Sequence, residues 1–169
     1  MYSKGFSLIE LIVVIILIGI LAVSVAPKFE GTASYEVNSH RAQLISALRL
    51  TQQRAMQQTD TDDYCHEIVF DFIQSRYGIP NRISCVQTDP IFLSNWEPDA
   101  TGHIVDENYD ITFNINGSST RQTIGFDWMG RPTKDCTGGC EVNITHPTEN
   151  TLTVYIEAEG YLNVFDQLH

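Results

Sequence analysis

Residues 4–27 read KGFSLIELIVVIILIGILAVSVAP, an apolar run of helix-spanning length near the start of the chain. Between Phe6 and Ala26 the only charged residue is Glu10. The run is long enough, at about 1.5 Å per residue, to span roughly 30 Å of hydrocarbon as a helix. An acidic side chain inside such a helix costs about 2.5–3.5 kcal/mol at mid-membrane. Glu10 therefore needs a reason to be there.

Three readings of the segment compete. A secretory signal peptide has Lys4 as its charged end and Ser24-Val25-Ala26 as a small-residue cleavage site. Pro27 after the cut and Glu10 within the apolar region both oppose it. A plain transmembrane anchor accommodates the length but leaves Glu10 unexplained.

The third reading is a resemblance. Lys4-Gly5-Phe6 followed by Ser7-Leu8-Ile9-Glu10 resembles the prepilin signature of type IV pilins and type II secretion pseudopilins. The resemblance implies cleavage after Gly5 by a prepilin peptidase, N-methylation of Phe6, and retention of Glu10 for assembly. In that family the glutamate is proposed to pair with the new amine of a neighbouring subunit or its own. Gly19 and Pro27 match positions flanking helix that can kink or melt in a filament. Lys4 would hold the leader on the cytoplasmic side, and Gly5 leaves room for the peptidase. A carboxylate in a first helical turn is favoured by the macrodipole, and a nearby cation offsets its desolvation.

Beyond Pro27 the sequence stays helix-like. Residues 39–58, SHRAQLISALRLTQQRAMQQ, lack Gly and Pro. Val37, Leu44, Leu48, Thr51 and Ala55 recur at helical spacing, and Arg41, Arg49 and Arg54 lie mostly off that stripe. One long helix running from the apolar segment into a soluble domain is expected.

After Gln58 the pattern changes to short strands: 67–72, 82–86, 110–115, 122–126, 142–145, 152–156 and 162–165, with Asn116-Gly117 as a turn signal. The fold class is α+β and pilin-like, the amphipathic half of the helix covering two small antiparallel sheets or one strongly bent sheet. The expected divisions are a leader at 1–5, an apolar membrane or filament-core helix at 6–27, its amphipathic continuation at 28–58, and a β-rich globular domain at 59–169. Residues 123–132 and 154–162, with the helix at 41–55, also resemble minor pseudopilin H and related minor pilins, including the mannose-sensitive haemagglutinin type.

Cys65, Cys85, Cys136 and Cys140 form an even set behind an export-like segment, which points to disulfides. Four cysteines permit three connectivities. The favoured one pairs Cys65 with Cys85 across a hairpin and closes Cys136–Cys140 as a small ring around Gly138 and Gly139. No C-x2-C pair supports zinc. Asp60, Asp62, Asp63 and Asp106, Glu107, Asp110 lack the spacing of a calcium loop and read as solvated acidic loops.

The formal charge of −11 and ten scattered Lys and Arg disfavour nucleic acid as a partner. No nucleophile elbow, HExxH pair or phosphate loop occurs, and His40, His66, His103, His146 and His169 are dispersed. Neither catalysis nor a cofactor is expected. The resemblance implies other pilin or pseudopilin subunits, the prepilin peptidase, inner-membrane assembly machinery and the membrane itself as partners. It implies a single-pass inner-membrane protein with a periplasmic C-terminal domain, moving afterwards to a pilus on the cell surface or to a periplasmic pseudopilus. A minor type IV pilin is the leading reading, with a type II secretion minor pseudopilin as the alternative. A membrane-tethered binding module or secreted enzyme represents a different class.

Overall fold

Among the described residues of the first third of the chain two helices form: α1, Leu8–Val25, rich in Ile and Val, and α2, Thr32–Gln57, richer in strong helix formers. A computed structural model describes residues 7–25, 32–57, 66–80, 92–118 and 120–164. The expected continuity between the helices falls on residues 26–31, outside the described residues. The α2 stripe is buried as its spacing predicts, with Val37, Leu44, Leu48, Thr51 and Ala55 all against the core. Burying a side chain such as Leu44 or Leu48 stabilises by about 2–3 kcal/mol. Thr51 joins them because its hydroxyl donates to the Ala47 carbonyl one turn earlier, at 2.9 Å.

Nine strands follow among the described residues: β1 (Glu67–Asp71), β2 (Arg76–Gly78), β3 (His103–Ile104), β4 (Thr112–Ile115), β5 (Gln122–Phe126), β6 (Pro132–Lys134), β7 (Gly139–His146), β8 (Glu149–Glu157) and β9 (Leu162–Asn163). They form two antiparallel sheets, one ordered β3-β2-β1-β5-β6 and the other β4-β7-β8-β9. Helix α2 lies on β1 and β5 of the first sheet and on β7 and β8 of the second. One apolar cluster unites helix and sheets, including Leu44, Leu48, Ile68, Phe70, Val142 and Val154.

Alternation sets the faces of the second sheet. Phe113 and Ile115 on β4, Cys140, Val142 and Ile144 on β7, and Val154 and Ile156 on β8 point inward. The central strand β1 differs: all five residues are buried, including Glu67 and Asp71. Asp71 is compensated by Arg76, whose Nη2 lies 3.2 Å from its Oδ2, and more distantly by Arg121 at 3.8 Å. The Arg76 guanidinium also lies over Phe92, 4.4 Å from the ring centre. Trp96 packs edge-on to Phe92 and donates from its indole to the Ile79 carbonyl at 2.9 Å.

The expected strands at 67–72, 110–115, 122–126, 142–145, 152–156 and 162–165 correspond to β1, β4, β5, β7, β8 and β9, with β7 and β8 extending further and β9 shorter. The expected strand at 82–86 lies outside the described residues. Three short strands were not anticipated: β2, β3 and β6. Pro132 opens β6, an edge strand where its missing N–H is tolerated.

Candidate functional site

The start of α1 is built from Ser7. Its carbonyl accepts from the Glu10 and Leu11 amides at 3.1 and 3.3 Å, and its hydroxyl accepts from the Glu10 amide at 3.3 Å. Ser7 is thus the N-cap and Glu10 the third helical residue, the S-x-x-E spacing of a capping box. This local role was missed in the sequence, where the signal was plainly present. Glu10 sits where the unsatisfied amides of a helix start favour negative charge.

From Ser7 to Leu21 every residue of α1 is exposed, and the large apolar side chains from Leu8 to Leu21 surround the helix on all sides. Such a surface is stable only against lipid or other apolar helices. The 18 residues of α1 extend about 27 Å. Among the described residues no helix is long and apolar enough to cross a membrane. Gly19 lies within an unbroken α1, and a Cβ there would meet nothing within 4 Å. No close packing in the single chain accounts for that glycine. Gly5, Phe6 and Pro27 lie outside the described residues.

A second composite region lies at the C-terminal end of α2. The Gln52 amide donates to both the Gly130 and the Gly160 carbonyls, each at 2.7 Å. This one side chain joins the turn after β5 to the turn between β8 and β9. Those two turns belong to the stretches 123–132 and 154–162, more than twenty residues apart in sequence. Gly160 has φ +92°, and a Cβ built on it would lie 2.0 Å from the Gly130 oxygen.

The turn after β5 is stiffened by Asp127. Its Oδ1 accepts from the Met129 and Arg131 amides, both at 2.9 Å, and its Oδ2 from Arg131 Nε at 2.8 Å. Burial pushes the Asp127 carboxyl up, but the Arg131 and Met129 hydrogen bonds and the Arg131 charge outweigh it and hold it below its ordinary value. Trp128, Met129, Met56 and Tyr161 are exposed.

Cys136 and Cys140 are joined by a disulfide, as the small-ring reading expected. Both residues are buried, and the ring occupies the crossover from β6 in the first sheet to β7 in the second. Gly138 and Gly139, at φ +83° and +105°, supply the backbone freedom that so short a ring needs. The ring tightens the crossover loop between the sheets. Cys65 and Cys85 lie outside the described residues, as do Asp60, Asp62 and Asp63.

Asp106 caps a 3-10 turn at Glu107–Tyr109 by accepting from the Asn108 amide, and Asp110 closes it in a left-handed conformation. Among the described residues no group of three or more His, Cys, Asp or Glu is placed to hold a metal ion. The histidines are less dispersed than in sequence: His40 of α2 and His103 of β3 have ring centres 5.0 Å apart.

Comparison with known proteins bears on the first of these regions. Residues 1–26 match the family model of the prokaryotic N-terminal methylation motif, 26 of the 169 residues. Among solved structures the fold is similar to the crystal structure of the Pseudomonas aeruginosa (strain PAO1) type IV minor pilin FimU. The identity is 12%, the TM-score 0.44, and the match covers 84% of this chain and 92% of that one. No curated protein matches the sequence. The chain thus joins an N-terminal methylation motif at residues 1–26 to a second helix, α2, laid on two antiparallel sheets.

Proposed function

We propose that this chain is a minor type IV pilin. A prepilin peptidase cuts it between Gly5 and Phe6, and the new Phe6 amine is methylated. The apolar helix of residues 6–27 then holds it in the inner membrane with the β domain in the periplasm, until assembly machinery moves it into a filament. There it primes, caps or joins the fibre by contact with other pilin subunits. The observation that carries this reading is α1: an apolar helix exposed on every side, with a single carboxylate at the third position of its first turn, inside a methylation motif. A lipid bilayer and a bundle of like helices both satisfy that surface, so one segment serves as anchor and then as filament core. Glu10 offers the partner for the amine that cleavage creates. Gly19 and Pro27 supply the points at which the helix can kink or melt, since glycine weakens a helix by about 1 kcal/mol relative to alanine and proline removes a ladder hydrogen bond.

The test is mass spectrometry of the mature chain from cells that contain a prepilin peptidase. N-methyl-Phe6 at the N-terminus is expected; an intact Met1 or a terminus at Pro27 overturns the assignment. Glu10→Ala should be cleaved normally yet be absent from sheared filaments. A deletion strain that keeps its pili and loses only exoprotein release would instead make the chain a type II secretion pseudopilin.

A further inference from the structure

His40 lies two turns into α2 and is 93% buried, at a relative exposure of 7%. Its ring meets His103 of β3 at 5.0 Å and the edge of Tyr109 in the 3-10 turn at 5.9 Å. His103 in turn lies 6.1 Å from Tyr77 of β2, its register partner. Among the described residues, Nδ1 of His40, Nε2 of His103 and the Tyr77 hydroxyl are buried without a hydrogen-bond partner. Three orphaned polar atoms from three elements therefore meet where α2 touches the edge of the first sheet.

The ladder at that edge is short, and Val105 just beyond it is buried in the core. Strand β3 has two residues, paired with Arg76 and Tyr77, and the next amide, Val105 N–H, donates to the Ser75 carbonyl at 2.9 Å. We propose that His40 and His103 form an acid-sensitive latch, closed while both rings are neutral, that fastens β3 and the following 3-10 turn to α2. Protonation of either ring buries a cation beside a second imidazole, and protonation of both sets two like charges 5.0 Å apart.

Among the described residues neither ring forms an ion pair that would compensate such a charge. On α2, Glu36 lies one turn before His40, and Arg41 donates to the Asn38 side chain at 2.9 Å. Strand β2 presents Tyr77, a buried phenol that burial keeps protonated. The 3-10 turn presents Tyr109, with Asp106 committed to Asn108 and Asp110 exposed. Burial depresses His40 below its ordinary 6.5, with His103 acting in the same direction, and burial alone depresses His103.

The sign follows from linkage. A histidine depressed in the folded state takes up its proton more readily when the site is open, so closure is fully stable above the ordinary value near 6.5 and weakens as pH falls below it. The latch is independent of the function proposed above.

The experiment uses the full chain in detergent micelles at pH 7.5 and pH 5. Its readout is the Val105 amide protection factor, corrected for the intrinsic pH dependence of exchange. Protection should fall by more than about threefold in the wild type, a local opening distinct from global unfolding. It should stay level in the His40→Gln/His103→Gln double variant, and His146→Gln should behave as wild type. If the double variant does not fold, His103→Gln alone, at the half-buried position, must reduce the acid loss. A wild type whose Val105 protection is equal at both pH values, or a double variant that loses as much as wild type, overturns the latch.

Discussion

Replacing Gly160 by alanine tests the junction at the end of α2. The added methyl would lie 2.0 Å from the Gly130 carbonyl oxygen and 2.7 Å from Gln52 Nε2, both far inside van der Waals contact. Its φ of +92° also lies where a side chain is strained, at a cost of about 1–2 kcal/mol. Relief requires one turn to move by more than 1 Å, which separates Gln52 from its two carbonyls. Each of those hydrogen bonds contributes about 1 kcal/mol net. With the remaining steric strain, the loss should be about 4 kcal/mol, or roughly 10 °C in the thermal midpoint. The assay is thermal unfolding of the full chain in micelles followed by tryptophan fluorescence, since Trp128 sits two residues from Gly130. Gly138→Ala is the control: φ is +83° but nothing lies within 4 Å of the new methyl, so only the backbone strain remains. Gln52→Ala should fall between the two, at about 2 kcal/mol. If Gly160→Ala is no worse than Gly138→Ala, the close approach of the two turns is wrong.

Two further substitutions probe the buried charges of β1. Arg76→Met leaves the Asp71 carboxylate, among the described residues, with only the 3.8 Å contact to Arg121 and strips the cation from the Phe92 face; urea unfolding should show a loss of about 2–4 kcal/mol. Glu67→Gln should have the opposite sign near neutral pH. Burial raises the Glu67 carboxyl above its ordinary 4.5, with Lys134 only partly countering it. The wild type therefore gives up stability as pH rises through the folded value, and the neutral variant does not. Its thermal midpoint relative to wild type should be higher at pH 7 than at pH 4; an advantage that shrinks on going to pH 7 would contradict the burial argument.

The parts of the fold legible in sequence are those governed by local periodicity. Val37, Leu44, Leu48, Thr51 and Ala55 share one helical face whatever partner covers it, and all five are buried. Strand β5 falls on 122–126 as expected, and the Cys136–Cys140 ring was readable from two glycines between two cysteines. Short edge strands were not readable, because two or three residues carry no period and are strands only by virtue of a neighbour. That is the case for β3, which exists by pairing with Tyr77 and Arg76. Gln52 carries no local signal of its role, because its two carbonyl partners lie 78 and 108 residues away. The His40–His103 contact is hidden for the same reason. Ser7 and Glu10 differ: their capping relation is local and legible in the S-x-x-E spacing, whereas any pairing of the carboxylate beyond its own helix is not.

The position of the Cys136–Cys140 ring has a mechanical consequence. Its two Cα atoms are 5.0 Å apart, whereas four fully extended residue steps would span about 14 Å. When the chain is drawn out from its ends, this bond therefore withholds only about 9 Å of contour. It keeps the crossover between the sheets in register during small thermal excursions, yet contributes almost nothing to the length at which a stretched chain becomes taut.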